Sequence, residues 1–322
     1  MPVDRISDGA WRIRLPLPWN LRSVNAFLFR LADGWLLLDC GLNTDATFEA
    51  FEAAFEEIGA QWGDVRRIVA SHMHPDHFGG AARARRLSSA PVALPPIEAK
   101  LVAPPLESVE FFSRPASHLL RHGAPEADVE QIRQAASEVA AAMDRFVPDE
   151  AIDNGDVIEF DGGRLEAVHT PGHTPGLLCF YDPDNKVLYS TDMILQRITP
   201  HVGVHWFYED NPLGDYLTSL SKLESLDCEL VVPSHGPPFT GLQRRIAETR
   251  SHQRRRAEKI LAAVAEGEAS AYEIAGRVWG TDAPPQDRRF AAAEALAHLE
   301  YMARTFRVAR RDSGGVIVWR SI

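Results

Sequence analysis

Apolar positions along the chain switch between a period of two and a helical period, which predicts alternating sheet and helix. Residues 10–39 read as three strands: an alternating stretch from Trp11 to Leu15, a longer run from Val24 to Leu31, and a third from Trp35 to Asp39. Asp33-Gly34 between two apolar runs predicts a hairpin. Thr44 to Ile58 repeats Phe48, Phe51 and Phe55 at helical spacing, so those rings belong in a core. Ile68-Val69-Ala70 predicts the end of a buried strand, Gly79-Gly80 open a helix, and residues 91–94 fit a short strand. Strand signals resume at 157–160, 165–169, 177–181 and 187–189. A helix follows from Asn211 to about Leu226, then a strand at 230–233.

Two regions break this rhythm. Paired prolines at 95–96 and 104–105 bracket helical stretches at 109–122 and 126–146, read as a helical insertion of about 95–147 lying over the strand ends. Its apolar side is assigned to Phe111, Phe112, Leu119, Leu120, Met143 and Phe146; it is expected to act as a lid on substrate, or else as a homodimer interface. His118 and His122 are four apart, as a zinc pair would be, but with no further ligands nearby they read as solvent-exposed. After Gly241 come a basic helix (242–265), a short helix (271–279), a longer one (287–305) and strands at 306–310 and 316–319, a winged-helix-like outline. The expected division is a catalytic domain over 1–241 and a C-terminal unit over 242–322.

Apolar content of 45% and charged content of 25% indicate a water-soluble globular chain. No run approaches the ~18 apolar residues of a membrane span, and no apolar signal core follows Met1, so a cytoplasmic location is expected. Cys40, Cys179 and Cys228 are too few and too scattered for a disulfide framework. The net charge of −11 is uneven: residues 240–322 hold 15 Lys/Arg against 10 Asp/Glu, leaving 19 against 35 in the remainder. A region that acidic repels a phosphate backbone. Nucleic acid is therefore an unexpected partner and a small molecule the expected one.

The candidate chemistry sits at 68–80, Ile-Val-Ala-Ser-His-Met-His-Pro-Asp-His-Phe-Gly-Gly. His72, His74, Asp76 and His77 fall within six residues, between a strand and a helix. Alternation places His72 and His74 on one side of extended chain, where both imidazoles face one ion. Pro75 stops the strand and turns Asp76 and His77 toward a neighbouring position. Downstream, His173 lies between two Thr-Pro and Pro-Gly corners, which hold a ligand rigidly. Asp192 and His235 follow strands, and Asp39 ends one; His169, at a strand end, reads as packed rather than ligating. Residues 200–208 are rich in rings and are expected to rim a pocket, with His205 and Trp206, alongside Phe111 and Phe112, as substrate contacts.

The run His72-x-His74-x-Asp76-His77, followed in order by His173, Asp192 and His235 and preceded by Asp39, resembles the signature of the metallo-β-lactamase superfamily. The resemblance covers about residues 10–241 and implies an α/β four-layer αβ/βα sandwich. It also implies a dinuclear centre: His72, His74 and His173 on one metal, Asp76, His77 and His235 on the second, Asp192 bridging, and Asp39 orienting the ligating histidines. The donors suit zinc, and also iron or manganese. A bridging carboxylate resembles the hydroxyacylglutathione hydrolases, lactonases and thioesterases rather than β-lactam hydrolases. The implied activity is hydrolysis of a thioester, ester or lactone by metal-bound hydroxide, with Asp76 handling its proton. The rivals are a metal-dependent endoribonuclease, an iron persulfide dioxygenase with one metal, and a non-catalytic DNA-binding regulator. Asp192 and His235 are only 43 positions apart, which leaves no room for the extra domain usual in processing nucleases.

Overall fold

The apolar runs form two large sheets, seen in a computed structural model that describes residues 3–19, 21–103, 109–141 and 146–322. The first sheet has seven strands in chain order: β1 (Val3–Ser7), β2 (Ala10–Pro16), β3 (Ser23–Leu31), β4 (Gly34–Leu38), β5 (Val65–Val69), β6 (Val92–Leu94) and β7 (Glu150–Ala151). Strands β1 to β4 are antiparallel neighbours, and β4 to β7 are parallel. Parallel pairs need crossovers. Helices α1 (Asp45–Ile58), α2 (Pro75–Phe78) and α3 (Ala81–Ser88) supply two of them. The second sheet holds β8 (Val157–Phe160), β9 (Gly163–His169), β10 (Leu178–Asp182), β11 (Val187–Thr191) and β12 (Leu230–Pro233), in the order β12-β11-β10-β9-β8.

Strand alternation decides which side chains fill which layer. Phe27, Phe29, Leu36 and Leu38 of the first sheet meet Leu178, Phe180 and Tyr189 of the second. Tyr189 packs edge-on against both phenylalanines, with ring centroids 5.1 Å apart in each pair. On the opposite face of the first sheet, Leu28, Leu37 and Ile68 are covered by Phe48, Phe51 and Phe55 of α1. That helix starts where Thr44 Oγ1 accepts from Thr47 N and ends at Gly59, whose φ of 80° suits glycine. The outer face of the second sheet carries α7 (Pro212–Glu224) and α8 (Leu242–Ala265), completing an α/β sandwich of two sheets between helical layers.

Between the sheets in sequence lie α4 (Pro96–Val102), α5 (Val109–Arg121) and α6 (Glu126–Ala141). The side chains of Phe111 and Phe112, and Met143, lie outside the described residues. Phe146 stacks on Phe78, with ring centroids 5.3 Å apart. The chain ends with β13 (Ala269–Ser270), α9 (Ala271–Trp279), α10 (Pro285–Arg304), β14 (Val308–Ser313) and β15 (Val316–Ser321), the strands forming a sheet ordered β13-β15-β14. Leu296, Leu299, Met302 and Trp319 share one apolar cluster with Cys179, Leu188 and Val231 of the second sheet. α6 leans on this segment too: Asp128 accepts from Tyr272 Oη at 2.5 Å and pairs with Arg288 at 2.8 Å. Among the described residues no helix is long and apolar enough to cross a membrane.

The structure corrects the sequence reading in three places. β1, β7 and β13 have no counterpart in it, because one precedes the first clear alternation and the other two are two residues long. A separate short helix, α2, which holds Asp76 and His77, precedes the helix that Gly79-Gly80 open as expected; an added Cβ at either glycine would strike the Pro75 or Cys40 carbonyl oxygen. His118 and His122 are not solvent-exposed. They are half-buried against each other, ring centroids 4.7 Å apart, with His118 Nδ1 3.3 Å from Glu209 Oε1.

Candidate metal centre

Loops at the ends of strands from both sheets bring the polar residues together. β4 ends at Leu38, and Asp39 takes a left-handed φ of 64°, an uncommon geometry for a residue other than glycine. This turns a fully buried carboxylate toward the histidine loop that follows β5. Oδ1 of Asp39 accepts from the Ser71 backbone N–H at 2.7 Å; Oδ2 accepts from Ser71 Oγ at 3.0 Å and from His77 Nδ1 at 2.8 Å. With its proton given to Asp39, Ser71 Oγ accepts in turn from His72 Nδ1 at 3.0 Å. One carboxylate thus fixes Nδ1 of both imidazoles, one directly and one through Ser71, and leaves both Nε2 atoms facing inward.

Backbone carbonyls do the same for two further imidazoles. His173 Nδ1 donates to the His201 carbonyl at 2.7 Å, and His235 Nδ1 donates to the Ser23 carbonyl at 3.0 Å. The nitrogens so freed converge with the carboxylates in two groups, His72, His74, His173 and Asp192 in one, Asp76, His77 and His235 in the other. Within each group the candidate donor atoms all lie within 4.8 Å of one another. Asp192 faces both: Oδ2 is 3.3 Å from His173 Nε2 and 3.5 Å from His77 Nε2, while Oδ1 is 3.4 Å from His235 Nε2. Asp76 Oδ2 is 3.3 Å from His235 Nε2 and 3.7 Å from His77 Nε2.

The electrostatics call for a cation. In the first group, burial and the neighbouring imidazoles push His72 well below its usual pKa and His74 to about 3, so both rings are neutral and offer lone pairs. His74 Nδ1 is 3.0 Å from His72 Nε2 and 2.9 Å from His173 Nε2. Three imidazole nitrogens that close need a shared proton or a metal ion between them. In the second group burial opposes charge on His77 and His235, yet the surrounding carboxylates outweigh it and hold both high, His235 at about 10. Without another cation, those carboxylates recruit protons. His77 Nε2 and Asp192 Oδ1 are buried with no hydrogen-bond partner. Five imidazoles and two carboxylates, lone pairs convergent and inner atoms unsatisfied, fit divalent metal ions.

Two supports escaped the sequence reading. Glu98, fully buried on α4, accepts from the Met73 N–H through Oε2 at 3.1 Å and from the Gly176 N–H through Oε1 at 2.6 Å. It ties the histidine loop to the loop that carries His173. Its only sequence signal is an acid in the first turn of a short helix after two prolines, which is weak. His169 braces the same loop, donating from Nε2 to the Pro175 carbonyl at 2.8 Å, and stands outside both donor groups. His205 and Trp206 are half-buried beside the centre's supports rather than within it. His205 stacks on Phe207 at 5.3 Å and meets His201 Nε2 at 3.2 Å; Trp206 packs edge-on to Phe207.

Comparison with known proteins agrees with this architecture. The sequence profile of the metallo-beta-lactamase superfamily matches residues 19–235. A solved metallo-beta-lactamase family protein from Thermus thermophilus superposes with a TM-score of 0.82 at 30% identity, covering 98% of this chain and 99% of that one. A beta-lactamase domain protein from Burkholderia ambifaria gives 0.86 at 29% identity, covering 99% and 94%. An atrochrysone carboxyl ACP thioesterase from Aspergillus fumigatus is 29% identical over 195 residues, 56% of this chain. The alignment spans only 59% of that fungal protein's length. On the fold, the profile match and the convergent His/Asp cluster, this chain belongs to the metallo-β-lactamase superfamily.

Proposed function

We propose that the protein is a divalent-metal-dependent hydrolase that adds water to the carbonyl of a thioester, with esters and lactones as its chemical neighbours. The observation that carries the reading is Asp192, whose two oxygens face two separate donor groups. Likeness to a fungal ACP thioesterase favours the thioester within that class. The cysteines argue the same way. Burial pushes the Cys40 thiol up strongly and the Cys179 thiol to about 12, so neither is a thiolate nucleophile at neutral pH. Water is then the nucleophile.

His72, His74 and His173 would hold one ion; Asp76, His77 and His235 the other; Asp192 would touch both. Zinc is the first choice, with iron or manganese compatible with the same donors. Bound there, divalent ions supply Lewis acidity, lowering the pKa of water and polarising a carbonyl. Asp39, through His77 and through Ser71 to His72, keeps the inward nitrogens unprotonated. Asp76, with one oxygen near His235 and the other unassigned, takes the proton of the attacking water and passes it to the leaving group. Glu98 holds the two ligand loops at a fixed separation. We further read residues 242–322 as a winged-helix-like unit that serves the catalytic body, in a cytoplasmic protein acting on small molecules.

The test is elemental analysis of the purified protein combined with a panel of acyl-thioesters, lactones, a β-lactam and RNA. Close to two metals per chain and thioester turnover, lost together in His74→Ala, are expected. A two-metal protein that cleaves only RNA, or thioester turnover that survives full chelation, would overturn the proposal.

A further inference from the structure

The N-terminal half of α10 lays a polar face on the segment after Asp192. Gln286, Arg289 and Ala293, three and four residues apart, share one side of the helix. The Ala293 carbonyl accepts from Val204 N at 3.1 Å, which fixes that side against residues 201–205. Gln286 Oε1 and Arg289 Nε are both buried without a hydrogen-bond partner. Among the described residues Arg289 has no ion pair; its guanidinium rests over the Phe290 ring, 4.3 Å from the centroid. Other arginines on this helix are matched, Arg288 with Asp128 at 2.8 Å and Arg304 with Asp210 at 2.5 Å. A half-buried guanidinium without a counterion is costly, and costly groups are retained where a ligand completes them.

Its neighbours show where that ligand would lie. Phe290 meets the His201 ring edge-on at 5.0 Å, and the His201 carbonyl is the group that orients His173. Arg289 is thus linked through Phe290 and His201 to the metal-facing His173. His201 and His205, Nε2 to Nε2 at 3.2 Å, offer it no negative charge.

Resting on the hydrolase reading above, we propose that Arg289, with Gln286 beside it, binds a carboxylate on the acyl part of the substrate. The protein would then select thioesters of dicarboxylic acids. A guanidinium takes a carboxylate through paired charge-assisted hydrogen bonds, which fixes orientation as well as affinity. The short reach favours the acyl side. A phosphate on a pantetheine-type thiol is many bonds from the carbonyl, whereas a carboxylate two or three methylenes away stays near the 201–205 segment that both orients His173 and packs on α10. Through α10, the C-terminal segment supplies specificity to a centre whose donors all come from the two sheets.

The experiment uses the full-length, zinc-loaded protein and two matched pairs of N-acetylcysteamine thioesters: succinyl against butyryl, and glutaryl against pentanoyl. Wild type is expected to favour the carboxylate member by about 10- to 100-fold in kcat/KM, the range for a hydrogen bond to a charged group. Arg289→Gln should erase the preference through KM while leaving the methyl series within about twofold, and Arg289→Lys should restore part of it. Coenzyme A thioesters form a third arm. A defect of Arg289→Gln confined to them would put the anion on the thiol and refute the acyl-side assignment. Equal turnover of both pair members by wild type, or equal losses in both series, would also overturn it. If no thioester is cleaved, the thioester assignment fails. Calorimetric titration of glutarate against pentanoate then decides the site alone: tighter glutarate binding lost in a folded Arg289→Gln supports it, and equal binding sinks it.

Discussion

Replacing Asp39 by Asn tests how much of the centre rests on one carboxylate that touches no candidate metal position. Asparagine is nearly isosteric and tolerates the left-handed φ of 64°, so the backbone is not the variable. An amide oxygen at Oδ1 keeps the 2.7 Å bond from the Ser71 N–H. At Oδ2 an NH2 group would face two donors, His77 Nδ1 at 2.8 Å and Ser71 Oγ at 3.0 Å. The conflict is relieved only if His77 moves its proton to Nε2 and Ser71 turns its own toward His72. Both changes place hydrogens on nitrogens that face the donor groups. Loss of such an orienting partner typically costs 10–100-fold in metal affinity, and one charged hydrogen bond is worth about 1.5–3 kcal/mol. Against a typical stability of about 5–15 kcal/mol the protein still folds. Asp39→Ala is the harsher control. Three donors lose their acceptor at about 1–3 kcal/mol each, enough to threaten folding. Chelator competition gives the zinc affinity and a thermal melt confirms the fold. Asp39→Asn protein that is folded and binds zinc within about twofold of wild type would refute the tautomer argument.

Three further outcomes follow from particular contacts. Asp192→Asn should lower metal content from near two per chain to one or less, because its oxygens face both donor groups; elemental analysis still giving two would show that it does not bridge. Gly176→Ala would place a Cβ 2.6 Å from Glu98 Cγ and 2.8 Å from Ile97 Cγ2, overpacking worth about 1–3 kcal/mol. An unchanged melting temperature would mean that Glu98 yields freely. His298 is held down to about 3 by burial, so it folds neutral and costs stability only when the unfolded chain can protonate. The stability it permits is full above about 6.5 and is lost as pH falls toward 3. His298→Leu should therefore flatten the loss of stability between those values in urea titrations, and a slope equal to wild type would refute the assignment.

The part of the site legible in the sequence is the part that is local in the chain. His72, His74, Asp76 and His77 announce themselves because a strand, a proline and a helix start leave them little else to do. α1 is readable to its ends because Thr44 and Gly59 are chemically suited to start and stop it. The supports were harder to see because their partners are remote. Glu98 answers amides at 73 and 176, and the Ser23 carbonyl serves a histidine 212 residues away. The half-burial of His118 and His122 has the same origin, since Glu209 and the strand β15 that α5 packs against lie far along the chain. Arg289, an ordinary residue of a charge-balanced helix in sequence, becomes unusual only once the lack of an ion-pair partner among the described residues is visible.

The ancestry of the donors along the chain has a kinetic consequence. His72, His74, Asp76 and His77 belong to the half of the chain that builds the first sheet; His173, Asp192 and His235 belong to the half that builds the second. Each half is nearly contiguous, so each sheet can assemble from its own hairpins and crossovers before the two meet. Neither half alone owns a complete set of ligands. An ion bound across both would act as a clasp, closing loops of roughly 100 and 160 residues for which the entropy cost grows only logarithmically with length. Zinc capture during refolding should accordingly lag behind sheet formation and coincide with burial of Tyr189 between Phe27 and Phe29, making metal uptake a clock for the docking of the two halves.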